Sequence, residues 1–185
     1  IRTIPMKINP ATGKPGLWDI ARDSWTLGPD LDPFLFLRYA KEIILNGKIM
    51  AIDFMRYVPV GYPTKEELLL HPYLIASLHK FLSIFGNPSV EYSAIIYPVI
   101  MFALTTIAFF FLARKVFLHK LGKNKSTIIA LISSLLLTLI PSLLPRTIAG
   151  IPEKESAAFL FLFLALYFFL SAWLSKTRKT GVIFA

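Results

Sequence analysis

The sequence of 185 residues contains no cysteine, and three of its stretches contain no charged residue at all. The lack of cysteine excludes disulfide frameworks and thiolate metal sites. The uncharged stretches are 94–113, 126–145 and 156–175. About 20 residues is the length at which a helix crosses the hydrocarbon core of a bilayer. One such run could be a buried helix of a soluble protein, but three in one chain favour membrane helices.

Acidic residues are also missing from two basic segments, 114–125 and 176–179. The first segment holds five Lys or Arg residues and the second holds three, so together they carry +8 of the net charge of +9. Basic residues favour the cytoplasmic side of a membrane. We therefore expect both segments in the cytoplasm, and the segments 1–92 and 146–155, which hold all 11 acidic residues, outside it. A nucleic-acid patch explains this distribution less well.

This pattern predicts an all-α integral membrane protein whose residues 1–92 form a long extracytoplasmic loop. Membrane helices are predicted over 93–114, 126–145 and 156–175, with a basic cytoplasmic loop at 115–125 and an extracytoplasmic loop at 146–155. Residues 176–185 are predicted to begin another cytoplasmic loop. Because the chain starts at Ile1 without a signal peptide, we expect a fragment that lacks sequence at both ends.

Two short amphipathic helices are predicted within the first loop. The first covers 33–46, with Asp32 as its N-cap, Pro33 in its first position and Gly47 at its end. The second covers 73–85, begins after Pro72 and is too short to cross a bilayer. We therefore expect both helices to lie at the membrane interface.

Two acidic clusters lie on the predicted extracytoplasmic side: Asp30 with Asp32, and Glu153 with Glu155. Carboxylates two residues apart can offer several oxygen ligands to Mg²⁺ or Mn²⁺, which often bind together with substrate phosphates. Each cluster also has a simpler explanation, because Asp32 suits a helix cap and the glutamates suit a helix N-terminus. Arg146 likewise suits an interfacial anchor. Local spacing alone leaves both interpretations open.

Three blocks of sequence carry a resemblance to a known family. Residues 32–38 read Asp-Pro-Phe-Leu-Phe-Leu-Arg, residues 53–61 begin with Asp53 and contain Pro-Val-Gly, and residues 145–155 read Pro-Arg-Thr-Ile-Ala-Gly-Ile-Pro-Glu-Lys-Glu. In this order, and on the predicted side of the membrane, they resemble the catalytic subunit of oligosaccharyltransferases, and the archaeal AglB type most closely. The block at 145–155 is the most specific of the three.

The resemblance implies roles for the acidic residues. Asp32 would bind a divalent metal, Mn²⁺ or Mg²⁺, together with Glu153 and Glu155, and would help to activate the acceptor amide. Arg146 would act beside Asp32 as a catalytic residue that braces these carboxylates. Glu153 departs from the family by one methylene group, since Asp is usual there. The further candidates, for substrate binding, are Asp30, Arg38 and Lys154.

The reaction implied by the resemblance is transfer of a glycan from a polyisoprenoid phosphate or diphosphate to Asn in Asn-x-Ser/Thr. The expected protein is a multi-pass glycosyltransferase of the GT-C type in the cell membrane, with its active site on the extracytoplasmic face. Its partners would be the lipid-linked oligosaccharide, an acceptor polypeptide and membrane lipids, without nucleic acid. We expect the fragment alone to be inactive, because other parts of the family's machinery are absent from it.

Two alternatives stay open at this point. Another membrane glycosyltransferase that uses lipid-phosphate sugars, such as an O-mannosyltransferase or an aminoarabinose transferase, would also place acids in its first external loop. A non-catalytic scaffold or a transporter segment belongs to a different class. The uncharged spans argue against transport, because transporters carry ionisable residues or broken helices at mid-membrane.

Overall fold

A computed structural model describes residues 1–175, which form two compact units. The first unit comprises Ile1–Pro98 together with Ile148–Glu153, and the second comprises Val99–Thr147 and the chain from Lys154 onward. The described residues are mostly helical. The cytoplasmic segment predicted at 176–185 lies outside them.

The first unit contains two short antiparallel strand pairs that the predicted all-α class did not include. Strand β1 (Trp18–Asp19) pairs with β2 (Ser24–Trp25), and β3 (Ile52–Asp53) pairs with β4 (Tyr62–Pro63). Each strand has two residues, which is too short to produce the alternation of apolar and polar residues that identifies a strand in a sequence. The all-α class is therefore correct for the helices and incomplete for this unit.

Helix α1 (Asp32–Asn46) confirms the predicted helix at 33–46 and corrects its start. Leu31 already has helical angles and occupies the N-cap position, so Asp32 lies inside the first turn and is not the cap. Its negative charge still suits the positive end of the helix dipole. The helix ends at Gly47, which has a φ of 75° and donates its N–H to the Ile43 carbonyl.

Helix α2 (Leu70–Leu82) corresponds to the helix predicted at 73–85 but is displaced toward the N-terminus. Pro72 was expected to precede it and instead lies in its first turn, where a missing N–H costs nothing because that group has no helical partner. Helices α1 and α2 pack against each other. Their buried residues include Phe36, Tyr39, Ala40, Ile43, His71, Ile75 and Ala76.

Helix α3 (Val90–Leu139) includes the predicted span at 93–114 and continues through the segment predicted as a loop at 115–125. Its only non-helical residue is Gly122, with φ 74° and ψ 175°. The Arg114 Nε donates a hydrogen bond to Thr127 Oγ1 at 3.0 Å. In a straight helix these residues would be too far apart for this bond, because each of the 13 steps between them adds about 1.5 Å along the axis. The chain therefore turns back at Gly122, and the basic segment is helical on both sides of this turn.

The predicted span at 126–145 ends early, because α3 stops at Leu139 before Pro141. A 3-10 turn (Pro141–Leu143) and the short helix α4 (Leu144–Thr147) follow it. Helix α5 (Lys154–Trp173) overlaps the span predicted at 156–175. Of the helices within residues 1–175, α3 and α5 are long and apolar enough to cross a membrane.

Candidate functional site

The first acidic cluster lies where the chain enters α1. Asp30 accepts a hydrogen bond from the Leu31 N–H through Oδ1 at 2.8 Å, so its carboxylate is engaged locally. Asp32 is exposed in the first turn of the helix. The two predicted acids therefore differ in their surroundings. The Asp30 carboxylate binds the backbone just before α1, whereas the Asp32 carboxylate is exposed.

Backbone hydrogen bonds within the first unit connect this cluster to the segment that carries Glu153. The Asp30 N–H donates to the Gly28 carbonyl at 2.8 Å, and the Gly28 N–H donates to the Gly150 carbonyl at 2.8 Å. Glu153 follows three residues after Gly150, and its N–H donates to the Ile151 carbonyl at 2.9 Å. Two sequence blocks that are far apart in the chain therefore meet in one unit.

The close approach of these two segments requires glycine at position 150 and leaves little room for a side chain at position 28. Gly150 has a φ of +91°, and a Cβ there would lie 2.6 Å from Leu17 Cδ1. A Cβ on Gly28 would lie 3.1 Å from Ile151 Cγ1 and 3.3 Å from the Gly150 carbonyl oxygen. Any other L-residue at position 150 would be strained by its backbone conformation and would also clash.

His71 of α2 holds the residue that directly precedes Glu153. Its Nε2 lies 2.9 Å from the Pro152 carbonyl oxygen, and its Nδ1 lies 3.3 Å from the Tyr97 hydroxyl. A carbonyl can only accept, so Nε2 carries the hydrogen, and Nδ1 of a neutral imidazole then accepts from Tyr97. The imidazole is buried and packs edge-on against Phe36. The Glu153 side chain is also buried, with 5% of its surface exposed.

Arg38, which the resemblance suggested as a substrate-binding residue, pairs with Asp53. Both guanidinium Nη atoms donate to the carboxylate, and Tyr39 and the Met55 N–H also donate to it at 2.9 and 3.0 Å. Asp53 is 1% exposed. The hydrogen bonds from Arg38 lower the pKa of Asp53 from 3.8 to about 2, against the opposing effect of burial. The carboxylate therefore stays charged and organises the chain around β3.

Arg56 extends this polar network on the other side of Tyr39. It contacts the Tyr39 hydroxyl at 3.5 Å, pairs with Glu67 at 2.9 Å and lies 4.0 Å from the Tyr62 ring centroid. Its hydrogen bond with Tyr39, followed by the one with Glu67, raises the pKa of Arg56. The network therefore ties β3 and β4 to α1 through charged and hydroxyl groups.

The other predicted residues belong to the second unit. Arg146 is exposed in α4, and Lys154 and Glu155 begin α5, where Glu155 is exposed in the first turn. Across residues 1–175, no group of three or more His, Asp or Glu side chains lies close enough to hold one metal ion. The Mn²⁺ or Mg²⁺ that the resemblance implies therefore stays a prediction.

Sequence reasoning did not find the structural roles of Asp53, His71 and Tyr97. Asp53 was recognised only as part of a family-like stretch, and its partner Arg38 lies 15 residues away, so no local spacing indicated the pair. His71 shows no metal-ligand spacing with the other histidines. Its partner Pro152 is distant in sequence, so no local pattern could have indicated that contact.

The chain matches a known family model. The model described as "Oligosaccharyl transferase STT3, N-terminal" matches residues 19–185, which includes both acidic clusters. No curated protein and no solved structure matches the chain significantly.

Proposed function

This chain belongs to the oligosaccharyl transferase STT3 family, and we propose that it serves in the transfer of a glycan to protein asparagine. The donor would be a glycan on a polyisoprenoid phosphate or diphosphate carrier, and the acceptor would be Asn in an Asn-x-Ser/Thr sequence of a polypeptide. The family is a membrane-associated family of glycosyltransferases. Glycosyl transfer as the type of reaction follows from membership of this family, and we propose the specific donor and acceptor.

We also propose the membrane arrangement that this reaction requires. The protein would be a multi-pass GT-C transferase whose first unit, with its acidic cluster, faces the extracytoplasmic side. Support comes from two apolar helices of sufficient length and from the basic segment around Gly122, which suits the cytoplasmic side. The reversal of the chain at Gly122 would then divide α3 into two crossings.

The observation that carries the proposed function is the contact between Gly28 and Gly150. It brings the chain just before Asp30 and Asp32 against the chain just before Glu153. The proposed site draws its carboxylates from both of these segments. The backbone hydrogen bond from Gly28 to Gly150 supports this arrangement.

The chemistry explains why carboxylates are needed. The nitrogen of an amide is a poor nucleophile because its lone pair is delocalised into the carbonyl group. A carboxylate that accepts hydrogen bonds from the amide N–H groups draws electron density toward the nitrogen and orients it toward the donor. We assign this role to Asp32, which is exposed in the first turn of α1. Arg146 would supply a positive charge to the site, and Lys154 and Asp30 would contact substrate.

A divalent metal remains part of the proposal, with Asp32, Glu153 and Glu155 as its assigned carboxylates. When bound, Mn²⁺ or Mg²⁺ would neutralise charge on the departing phosphate. Titration of Mn²⁺ into the full-length wild type and into Asp32→Ala, followed by calorimetry, tests this assignment without measuring activity. Equal Mn²⁺ affinity in both proteins would remove Asp32 from the set of ligands.

The experiment that tests the function uses the full-length protein in membranes with lipid-linked oligosaccharide, an Asn-x-Thr peptide and Mn²⁺. We expect glycosylated peptide with the wild type and a decrease of roughly 100-fold or more with Asp32→Ala. Glu42→Ala is the matched control, because it removes a carboxylate near the other end of the same helix. Its rate should equal that of the wild type.

Two results would contradict the proposal. A folded wild type that modifies no peptide would move the assignment to a glycosyltransferase with a hydroxyl or lipid acceptor, which the same donor tests directly. Equal loss of activity in Asp32→Ala and Glu42→Ala would indicate a general defect of α1 and would remove the specific role of Asp32.

A further inference from the structure

The first unit contains a cavity of about 320 Å³ beside one face of α1. Phe34, two residues after Asp32, is the first residue of the helix to line it. Phe34, Leu37, Arg38 and Lys41 line it from this helix, at the three- and four-residue spacing of one helical face. The β1–β2 hairpin supplies the opposite wall. The volume falls at the lower end of the roughly 300–1,000 Å³ that small-molecule sites occupy.

The charges around this cavity cancel in pairs. Arg22 lies 3.7 Å from Asp19. Lys41 lies 2.5 Å from Glu91, and Arg38 is paired with Asp53. The three lining cations therefore each have a carboxylate partner. A phosphate group would have to compete with these carboxylates, so the cavity favours a neutral ligand over an anion.

The same ion pairs suit a ligand that has many hydroxyl groups. A guanidinium group has five N–H donors and an ammonium group has three, so Arg22, Arg38 and Lys41 each keep N–H donors that their carboxylate partners do not use. Ser24 and Thr26 add hydroxyl groups to the wall. A sugar hydroxyl, which both donates and accepts, can bridge the two members of an ion pair without displacing either.

Aromatic rings provide the apolar part of the wall. Trp25 lines the cavity, and its ring packs edge-on against Trp18 at 5.5 Å and at a tilt against Tyr92 at 5.4 Å between centroids. Phe34 lines it from α1 with 46% of its surface exposed. The C–H groups on one face of a pyranose ring pack well on such flat surfaces, while its hydroxyl groups point to the rim.

We propose that this cavity binds a neutral sugar residue of the glycan that the protein transfers. This inference rests on the proposed function and adds a binding site for the glycan itself, separate from the carboxylates that act on the amide. The position of the cavity along α1 supports it, because the helix begins with Asp32 and continues with Phe34, Arg38 and Lys41. A sugar bound here would hold the donor next to the first acidic cluster.

The test measures glycan binding to the full-length protein in detergent, independently of transfer. The probe is the neutral glycan released from the lipid-linked donor, titrated by calorimetry, with inorganic phosphate as the competitor. Phe34→Leu keeps an apolar side chain and removes the ring. It should weaken glycan binding about tenfold, the effect of losing one aromatic contact. Leu45→Ala, an exposed change in the last turn of α1, is the control and should bind like the wild type.

A second readout is the Michaelis constant for the lipid-linked donor in peptide glycosylation. Phe34→Leu should raise it about tenfold and leave kcat unchanged, which a merely structural defect would not do. Ser24→Ala, which removes one wall hydroxyl, should raise it by a smaller factor. Equal glycan affinity in Phe34→Leu and the wild type, or displacement of the glycan by phosphate, would overturn the inference. Absence of peptide transfer by the wild type, with glycan binding intact and sensitive to Phe34→Leu, would refute the proposed function and retain the sugar site.

Discussion

His71 Nε2 donates a hydrogen bond to the Pro152 carbonyl oxygen at 2.9 Å, and Glu153 is the next residue along the chain. The donor belongs to α2 and the acceptor to the returning segment 148–153, so helix packing controls where the second acidic cluster begins. Tyr97 fixes the other imidazole nitrogen at 3.3 Å. The position of Glu153 thus depends on a residue that has no direct part in the proposed chemistry.

We predict that His71→Phe lowers the free energy of unfolding by roughly 1–3 kcal/mol, because the Pro152 carbonyl loses its buried donor while the ring volume is kept. His71→Gln places an N–H at the equivalent of Nε2 and should recover part of this loss. Thermal unfolding of the detergent-solubilised full-length protein measures both. A His71→Phe protein as stable as the wild type would show that the hydrogen bond does not hold this segment.

We predict that Asp53→Asn destabilises the first unit by about 2 kcal/mol at neutral pH. The pKa of Asp53 is lowered from 3.8 to about 2 by its hydrogen bonds with Arg38, and one pKa unit corresponds to about 1.4 kcal/mol. A lowered carboxyl pKa gives stability that is fully present above pH 3.8 and is lost as the pH falls through 2. The wild type should therefore lose stability in this window.

The pH dependence separates this charge effect from a packing defect. Asp53→Asn should give a flatter profile of unfolding free energy between pH 4 and pH 2 than the wild type, since the variant has no carboxyl group to protonate there. Glu66→Gln, an exposed change outside the network, is the control and should keep the wild-type slope. Parallel profiles for Asp53→Asn and the wild type would contradict the assigned role.

We predict that Gly150→Ala is more destabilising than Gly47→Ala. Both residues have positive φ, +91° and +75°, so alanine strains both backbones. Only at position 150 would the new Cβ also meet another residue, Leu17 at 2.6 Å, whereas nothing lies within 4 Å at position 47. Denaturant unfolding should give a loss of roughly 1 kcal/mol for Gly47→Ala and at least 2 kcal/mol for Gly150→Ala. Equal losses would mean that the segments can separate without cost.

We predict the sidedness of the membrane arrangement from single cysteines, which are easy to interpret because the chain has none. Leu31→Cys and Glu155→Cys should react with an impermeant maleimide from the extracytoplasmic side, and Lys120→Cys should react only after permeabilisation. These positions are exposed, whereas Glu153 is 5% exposed and would react poorly from either side. Labelling of positions 31 and 155 from opposite sides would refute the topology.

The sequence predicts the helices well where local signals and burial agree. Asp-Pro at 32–33 and Gly47 define α1 to within one residue, because proline and glycine constrain the backbone directly. The start of α2 was predicted too late because of Pro72. A proline in the first turn of a helix and a proline just before the helix look alike in a sequence. Residues 115–125 were expected to be a loop because their charge indicates the side of the membrane and carries no information on local conformation.

The candidate site is only partly contained in local sequence. The acidic residues could be found because they form short motifs, whereas their surroundings depend on contacts between distant segments. The hydrogen bond between Gly28 and Gly150 and the contact between His71 and Pro152 both join distant positions. The pairing of Arg38 with Asp53 has the same origin, because it joins α1 to β3, and the predicted role of Arg38 in substrate binding stays a prediction.

The returning segment 148–153 also sets an order of events during biosynthesis. Its Ala149 N–H bonds to the Arg2 carbonyl, and its Gly150 N–H bonds to the Ile95 carbonyl, so the first unit is incomplete until Glu153 has been made. Synthesis proceeds at roughly 5–20 residues per second, so several seconds pass between the synthesis of residues 1–98 and that of the segment 148–153 that completes their unit. A nascent chain stalled between positions 98 and 148 would therefore expose an unfinished N-terminal unit to chaperones and proteases.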